Sequence, residues 1–129
     1  MRTPAVRFRV DFGRHEAVGP GKIALLEHIA ASGSLSQAAR ELKMSYRRAW
    51  QLLESLNGSF SERVAVTSKG GRGGGGASLT PLGAELVSQY RAFDRDVQRR
   101  AGRYFQELAA KSRARSTAGA APVRRLSER

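Results

Sequence analysis

The hexapeptide YRRAWQ, residues 46–51, puts a phenol, two guanidinium groups, an indole and a carboxamide within two helical turns. Arg forks onto O6 and N7 of guanine and Gln onto N6 and N7 of adenine, so Arg47, Arg48 and Gln51 form a base-reading set if they share an exposed helical face. Contact with phosphates alone is the commoner fate of arginines that face DNA, and the sequence leaves both uses open. Trp50, one position round from Ala49, either covers a core edge or touches DNA directly. No catalytic set competes with this one. The chain has no cysteine, no Ser/His/Asp arrangement in a suitable context and no paired carboxylates in an apolar setting. Asp94 and Asp96 read as solvated charge, and an enzyme is not expected. His15 and His28 lack a metal-ligand spacing, so neither a metal nor a cofactor is expected.

The balance of charge agrees with an anionic partner. The 129 residues hold 23 Lys+Arg against 11 Asp+Glu, a formal net charge of +12, and the sequence pI is about 11.5. Nineteen of the 23 are Arg, the side chain that forks onto phosphate and guanine. Such an excess speaks to partners rather than fold. Double-stranded DNA is the first candidate and an anionic membrane surface the second. No apolar run approaches the ~20 residues of a membrane span. The N-terminal MRTPAVRFRVDF lacks the apolar core of a signal peptide. A soluble cytoplasmic protein is the expectation.

The elements that must carry YRRAWQ follow from periodicity. Val6, Phe8, Val10 and Phe12 alternate with polar residues and predict a half-buried strand over Ala5 to Phe12. KIALLEHIAASG predicts a first helix with Ile23, Leu26, Ile29 and Ala30 inward, His28 on its polar side and Gly33 past its end. Ser34 and Gln37 form a capping box that opens a second helix, its buried face Leu35, Ala38, Ala39 and Leu42. After the short break KMS, Ser45 caps a third helix, with Met44 as a possible staple, running from about Tyr46 to Leu56. Ala49, Leu53 and Leu56 belong to its core face, which turns Tyr46, Arg47, Arg48, Gln51 and Glu54 elsewhere. Two strands, VAVT and ASLT, flank the glycine-rich SKGGRGGGG. Thr80 and Pro81 then open a long helix expected to reach about Ala110. Lys111 onward, with six basic residues and one acidic, reads as a disordered tail.

Helix, helix, tight turn, helix and two-stranded hairpin make a winged helix-turn-helix: mainly α with a small β wing and a long C-terminal dimerisation helix. The expected organisation is a DNA-binding domain over 1–80, a dimerisation helix over 81–110 and a basic tail over 111–129. The KMS break sets the angle at which the third helix enters a major groove while the second braces across it. Ser45, Tyr46, Arg47, Arg48 and Gln51 are then nearest the bases. Ser34, Ser36 and Gln37, at the start of the bracing helix, join the DNA-facing set. GGRGGGG is not a phosphate-binding P-loop, since no Lys-Ser/Thr follows and it lies between strands. It is either a wing tip pressing backbone N–H groups to DNA, with Lys69 and Arg72 on phosphates, or a merely floppy hairpin end. Leu86, Tyr90, Phe93, Val97, Ala101, Tyr104 and Leu108 recur at spacings of three and four, an approximate heptad stripe that predicts a homodimer.

GSLSQAA (residues 33–39), MSYRRAW (44–50), the GGRGGGG wing (70–76) and LTPLG (79–83) together resemble the N-terminal DNA-binding domain of the ModE-type molybdate-responsive regulators. The likeness covers about residues 20 to 93, and the LysR-type regulator head is a more distant relative. The resemblance implies a homodimer on a palindromic operator, paired through the helix after the wing. Molybdate-sensing members of that family carry C-terminal oxyanion-binding domains. Residues beyond 110 here read as a basic tail, so no small-molecule effector is evident. The leading expectation is a sequence-specific transcription regulator. A low-specificity, nucleoid-type DNA binder is the alternative that the charge would suit; an enzyme ranks third and a ligand sensor that binds no DNA fourth. Tyr46 and Gln51 beside the arginines favour the first, because a pure backbone binder needs neither.

Overall fold

Gly33 adopts a left-handed conformation (φ 72°, ψ 17°) that a side chain would strain, and the chain uses it to end one helix and begin the next at once. The structure, a computed structural model, describes residues 3–13, 17–68 and 75–113. Before Gly33 runs α1 (Pro20–Ser32), with proline in its first turn, where the missing N–H costs nothing. After it comes α2 (Leu35–Glu41), capped by Ser34, whose hydroxyl accepts from the Gln37 N–H at 3.0 Å. The expected capping box closes on this side only. The Gln37 side chain instead donates to Glu41 at 2.9 Å and accepts from Arg40, while Ser34 N–H bonds to the Ser32 hydroxyl.

The break after α2 is a closure of the Schellman type: Met44 N–H donates to Ala39 C=O at 3.0 Å and Lys43 N–H to Arg40 C=O at 3.1 Å. Lys43 takes the left-handed position (φ 59°) that glycine would fill with less strain. Ser45 then caps α3 (Tyr46–Gly58), accepting from Arg48 N–H at 3.0 Å. Ala38, Ala39 and Ala49 are buried at the crossing, and side chains this small let the two helices approach. Because α1 meets α2, α3 and the second wing strand, more than one of its faces is covered. Leu25 is therefore fully buried beside Ile23, Leu26 and Ile29, whereas Ala30, expected in the stripe, is exposed. Leu52 likewise joins Ala49, Leu53 and Leu56. Complete burial of one such aliphatic side chain stabilises by ~1.5–3 kcal/mol relative to exposure. Lys22 is buried too, and its ammonium group donates to the Ser55 hydroxyl on α3 at 3.0 Å.

The wing pairs β1 (Ala65–Thr67) with β2 (Ala77–Leu79) antiparallel, Ala65 opposite Leu79 and Thr67 opposite Ala77. Both strands are tied to the helices. Asn57, in the last turn of α3, accepts from Val64 N–H (2.7 Å) and Ala65 N–H (3.3 Å) and donates to Ala65 C=O (3.3 Å). On the other side, Ala77 N–H donates to Gly33 C=O at 2.9 Å. Thr80 then caps α4 (Pro81–Tyr104): its hydroxyl accepts from Gly83 N–H at 3.1 Å and donates to Arg63 C=O at 2.7 Å.

Two expectations are corrected here. The N-terminal segment is extended and its exposure alternates as expected, but it forms no strand. Its one bridge, among the described residues, joins Val10 to Val18 through two 2.8 Å hydrogen bonds. Its apolar side is covered by a helix rather than a sheet, with the Phe8 ring stacked on Tyr90 at 4.9 Å and the Tyr90 hydroxyl donating to Phe8 C=O. The long helix also ends early. Phe105 leaves helical geometry (φ −111°, ψ 19°), and a separate α5 spans Gln106–Lys111. Gly102, one turn before, weakens the helix there. Residues Arg7–Asp96 form one compact unit. The described residues 3–6 and 97–113 form a second, in which Gln98 exchanges two hydrogen bonds with the Val6 backbone (2.8 and 2.9 Å). Most of the tail expected to be disordered, from Ala114, lies outside the described residues, as does His15.

Arg91 on α4 grips Glu27 on α1 through two hydrogen bonds of 2.7 and 2.8 Å, and this contact holds the Glu27 carboxyl below its ordinary pKa. A depressed carboxyl contributes stability above its unfolded pKa and loses it as pH falls through the folded one. Glu27→Gln should lower stability near neutral pH by only ~0.2–1 kcal/mol, because solvent screens a pair this exposed. The gap from the parent should close on acidification below the ordinary carboxylate range; denaturant unfolding over a pH series that showed a constant gap would refute the assignment. Gly83 offers a larger effect. A Cβ there would lie 1.9 Å from the Val64 carbonyl oxygen, which is backbone and cannot swing aside. Gly83→Ala should destabilise by ~1–3 kcal/mol, despite the better helix propensity of alanine. Equal unfolding midpoints for the two proteins would mean the helix and strand are not pressed together.

Candidate nucleic-acid interface

The core face of α3 consumes Ala49, Leu52, Leu53 and Leu56, so the opposite face is left to solvent. Tyr46 is 55% and Trp50 47% exposed, and Arg47, Arg48 and Gln51 are exposed as well. Among the described residues, the side chains of these five have no hydrogen-bond or ion-pair partner. Their functional groups are therefore not committed to another described residue of the chain. Ser45, grouped with them from the sequence, is exposed but its hydroxyl already serves as the cap of α3.

Between α3 and the wing lies a groove of about 370 Å³. It is lined by Ser34, Leu35 and Ser36 from the start of α2, Tyr46 and Trp50 from α3, and Thr67, Ser68, Gly75 and Gly76 from the wing. The structure thus brings Ser34, Ser36 and Tyr46, selected from the sequence, to one place. Gln37 is different: its amide is engaged at both ends within α2, and Glu41 also bonds His28 on α1 at 2.7 Å. Those two contacts, that of Gln37 first, hold the Glu41 carboxyl below its usual pKa. His28, expected to be merely solvated, is thus half of an α1–α2 link. Lys69 and Arg72 lie outside the described residues.

Trp50, which the sequence left either on a core edge or against DNA, is about half exposed and lines the groove one turn on from Tyr46. Lys43, not singled out from the sequence, is exposed in the turn that leads into α3.

The stripe expected to pair two chains is divided by the fold. Leu86 and Tyr90 are buried in the chain's own core, as members of the cluster around α1 and α3. Burial raises the pKa of the Tyr90 hydroxyl. Ala101 is also buried and Val97 half-buried. Phe93, Tyr104 and Leu108 keep 51%, 77% and 65% of their surface exposed. Among the described residues no group of side chains is arranged to hold a metal ion, and no helix is long and apolar enough to cross a membrane.

Comparison with known proteins points the same way. Residues 21–84 match the family described as "Bacterial regulatory helix-turn-helix protein, lysR family". The chain is 46% identical over 72 residues to the "DNA-binding transcriptional dual regulator ModE" of Escherichia coli strain K12, covering 55% of this chain and 27% of that protein. It is 34% identical over 102 residues to the "Molybdenum transport protein ModE" of Azotobacter vinelandii, 79% of this chain and 38% of that one. Over 80 residues it is 40% identical to the "Molybdenum-pterin-binding protein MopB" of Rhodobacter capsulatus, 62% of this chain and 30% of that protein. The chain therefore spans well under half the length of these relatives. The match covers α1, the α2–turn–α3 unit, the wing and the first turn of α4, the elements that build the exposed face and its groove. Residues 21–84 are a winged helix-turn-helix similar to that of the lysR family of regulators, and in this region the chain is ModE-like.

Proposed function

We propose that this protein is a sequence-specific transcription regulator, working in the cytoplasm on the nucleoid, that binds a palindromic operator as a homodimer. The observation that carries the reading is the exposed set Tyr46, Arg47, Arg48 and Gln51, unpartnered among the described residues, on a capped helix held beside a wing. The major groove admits one α-helix, and the first turns of that helix reach the base edges. Arg47 and Arg48 are in the first turn of α3, and Gln51 is one turn further on. The relative named as a transcriptional dual regulator supports the same use of the domain. On this reading Lys69 and Arg72 contact phosphates beside the helix. The chain itself carries no catalytic step.

Dimerisation follows from the part of the α4 stripe that its own core leaves uncovered. Phe93 and Val97 are one helical turn apart, with Phe93 half exposed, so a second copy would bury apolar surface there. Tyr104, at the end of α4, and Leu108, on α5, would extend the seam, whereas Leu86 and Tyr90 act from within by bracing α4. Two chains paired this way would read half-sites about one turn of DNA apart, ~34 Å. The alternative, a low-specificity nucleoid-associated binder, is favoured by the formal charge of +12 and the basic residues from Lys111 onward.

Replacing the arginines separates the two readings. Arg47→Ala and Arg48→Ala should each weaken binding to a selected duplex, and a base-reading arginine should cost ~1–3 kcal/mol and relax preference at one position. Uniform weakening on every sequence would favour the nucleoid alternative, and unchanged affinity in both variants would remove α3 as the reader. The dimer is tested by Phe93→Glu with Val97→Glu. The double variant should sediment as a monomer and lose affinity for a two-half-site duplex while keeping its thermal midpoint within a few degrees; a stable dimer would exclude this seam.

A further inference from the structure

The groove between α3 and the wing has a chemistry unlike the rest of the basic surface. Among the described residues no charged side chain lines it. From α3 it is lined by the aromatic pair Tyr46 and Trp50, both about half exposed. Its walls carry the hydroxyls of Ser34, Ser36 and Ser68. Ser68 accepts from Gly76 N–H at 3.1 Å, which leaves its own proton to donate, and among the described residues the indole N–H of Trp50 has no acceptor. A segment that fits must therefore offer an apolar surface to the rings and several acceptors to neutral donors. A helix read in the major groove, with a wing beside it, leaves one strand of the duplex to pass between them. Deoxyribose supplies the apolar surface and the phosphate oxygens supply the acceptors.

We propose that this groove seats the sugar-phosphate backbone of one DNA strand, with Trp50 as the residue that positions it. The inference rests on the DNA-binding reading above and adds to it a neutral, sequence-independent contact. Arg47 and Arg48 supply charge and base preference; Trp50 supplies register, packing against sugar and donating to phosphate.

Trp50 is the only tryptophan in the chain, so its fluorescence reports on the groove without any substitution. Acrylamide quenching would be measured on the full chain, free and saturated with two duplexes: the best one recovered from a random-sequence selection, and a shuffled version. Saturation would be established independently by the anisotropy of labelled DNA. Both duplexes should shield Trp50. Trp50→Ala should lose at least about fivefold in affinity for each alike. Because the indole is neutral and displaces no counterions, the salt dependence of binding should keep its slope, whereas that of Arg47→Ala should flatten. Undiminished quenching at anisotropy saturation overturns the proposal, since the groove is then uncovered. Shielding or affinity loss confined to the selected duplex also overturns it, because Trp50 would then be reading bases. If neither duplex raises the anisotropy, the DNA-binding reading itself fails, and this contact fails with it.

Discussion

Asn57 holds the structure to its purpose. It is the last turn of α3 that must decide where the wing goes, and a bare helix end has only unsatisfied carbonyls to offer. The Asn57 carboxamide meets the backbone at Val64 and Ala65 with three hydrogen bonds, so the first wing strand cannot rotate away from the helix. Gly33 supplies the opposing hold through its carbonyl on Ala77. The wing is thus fastened to the beginning and the end of the α2–α3 unit, and the groove between them has walls of fixed separation. A two-stranded ribbon with three paired positions would be marginal on its own; here its backbone groups are completed by the helices.

The same economy governs charge. Several carboxylates of the described residues are engaged with arginines of the same chain: Glu27 and Asp94 with Arg91, and Glu54 with Arg63. Each pair links elements or stiffens a helix, and each occupies an arginine with a carboxylate of its own chain. Arg47 and Arg48 are left without such partners among the described residues. An arginine held in an ion pair must break it before binding phosphate, whereas an unpaired one exchanges only water and counterions. Screened surface pairs contribute little to stability individually. Their placement bears more on which cations remain available.

Much of the local architecture was legible because it rests on short-range rules. Ser34 and Ser45 as caps, Gly33 as a left-handed stop, Thr80-Pro81 as a helix start and the outward face of YRRAWQ depend on residues within one or two turns of each other, and all appear in the structure. The misreadings share a cause. The alternation from Val6 to Phe12 correctly marks an extended segment with one apolar side, but a period of two cannot say whether a sheet or a helix will cover that side. Ala30 and Leu25 exchanged roles because α1 touches three neighbours, and a single amphipathic stripe assumes one.

Composition and periodicity by themselves determined a basic, cysteine-free chain with a helix-turn-helix, a glycine-rich hairpin and an aromatic, arginine-bearing helical face. They could not apportion the stripe on α4, since a heptad pattern looks the same whether it is buried by the same chain or by a second copy. Only the tertiary structure placed Leu86 and Tyr90 inside and left Phe93 half open. It alone joined Ser34, Ser36, Trp50 and Ser68, residues from three separate elements, into one groove. The physical reason is the same in both cases. Caps and turns are satisfied by atoms a few residues away, whereas burial and cavities are properties of surfaces that meet only after residues dozens of positions apart have packed.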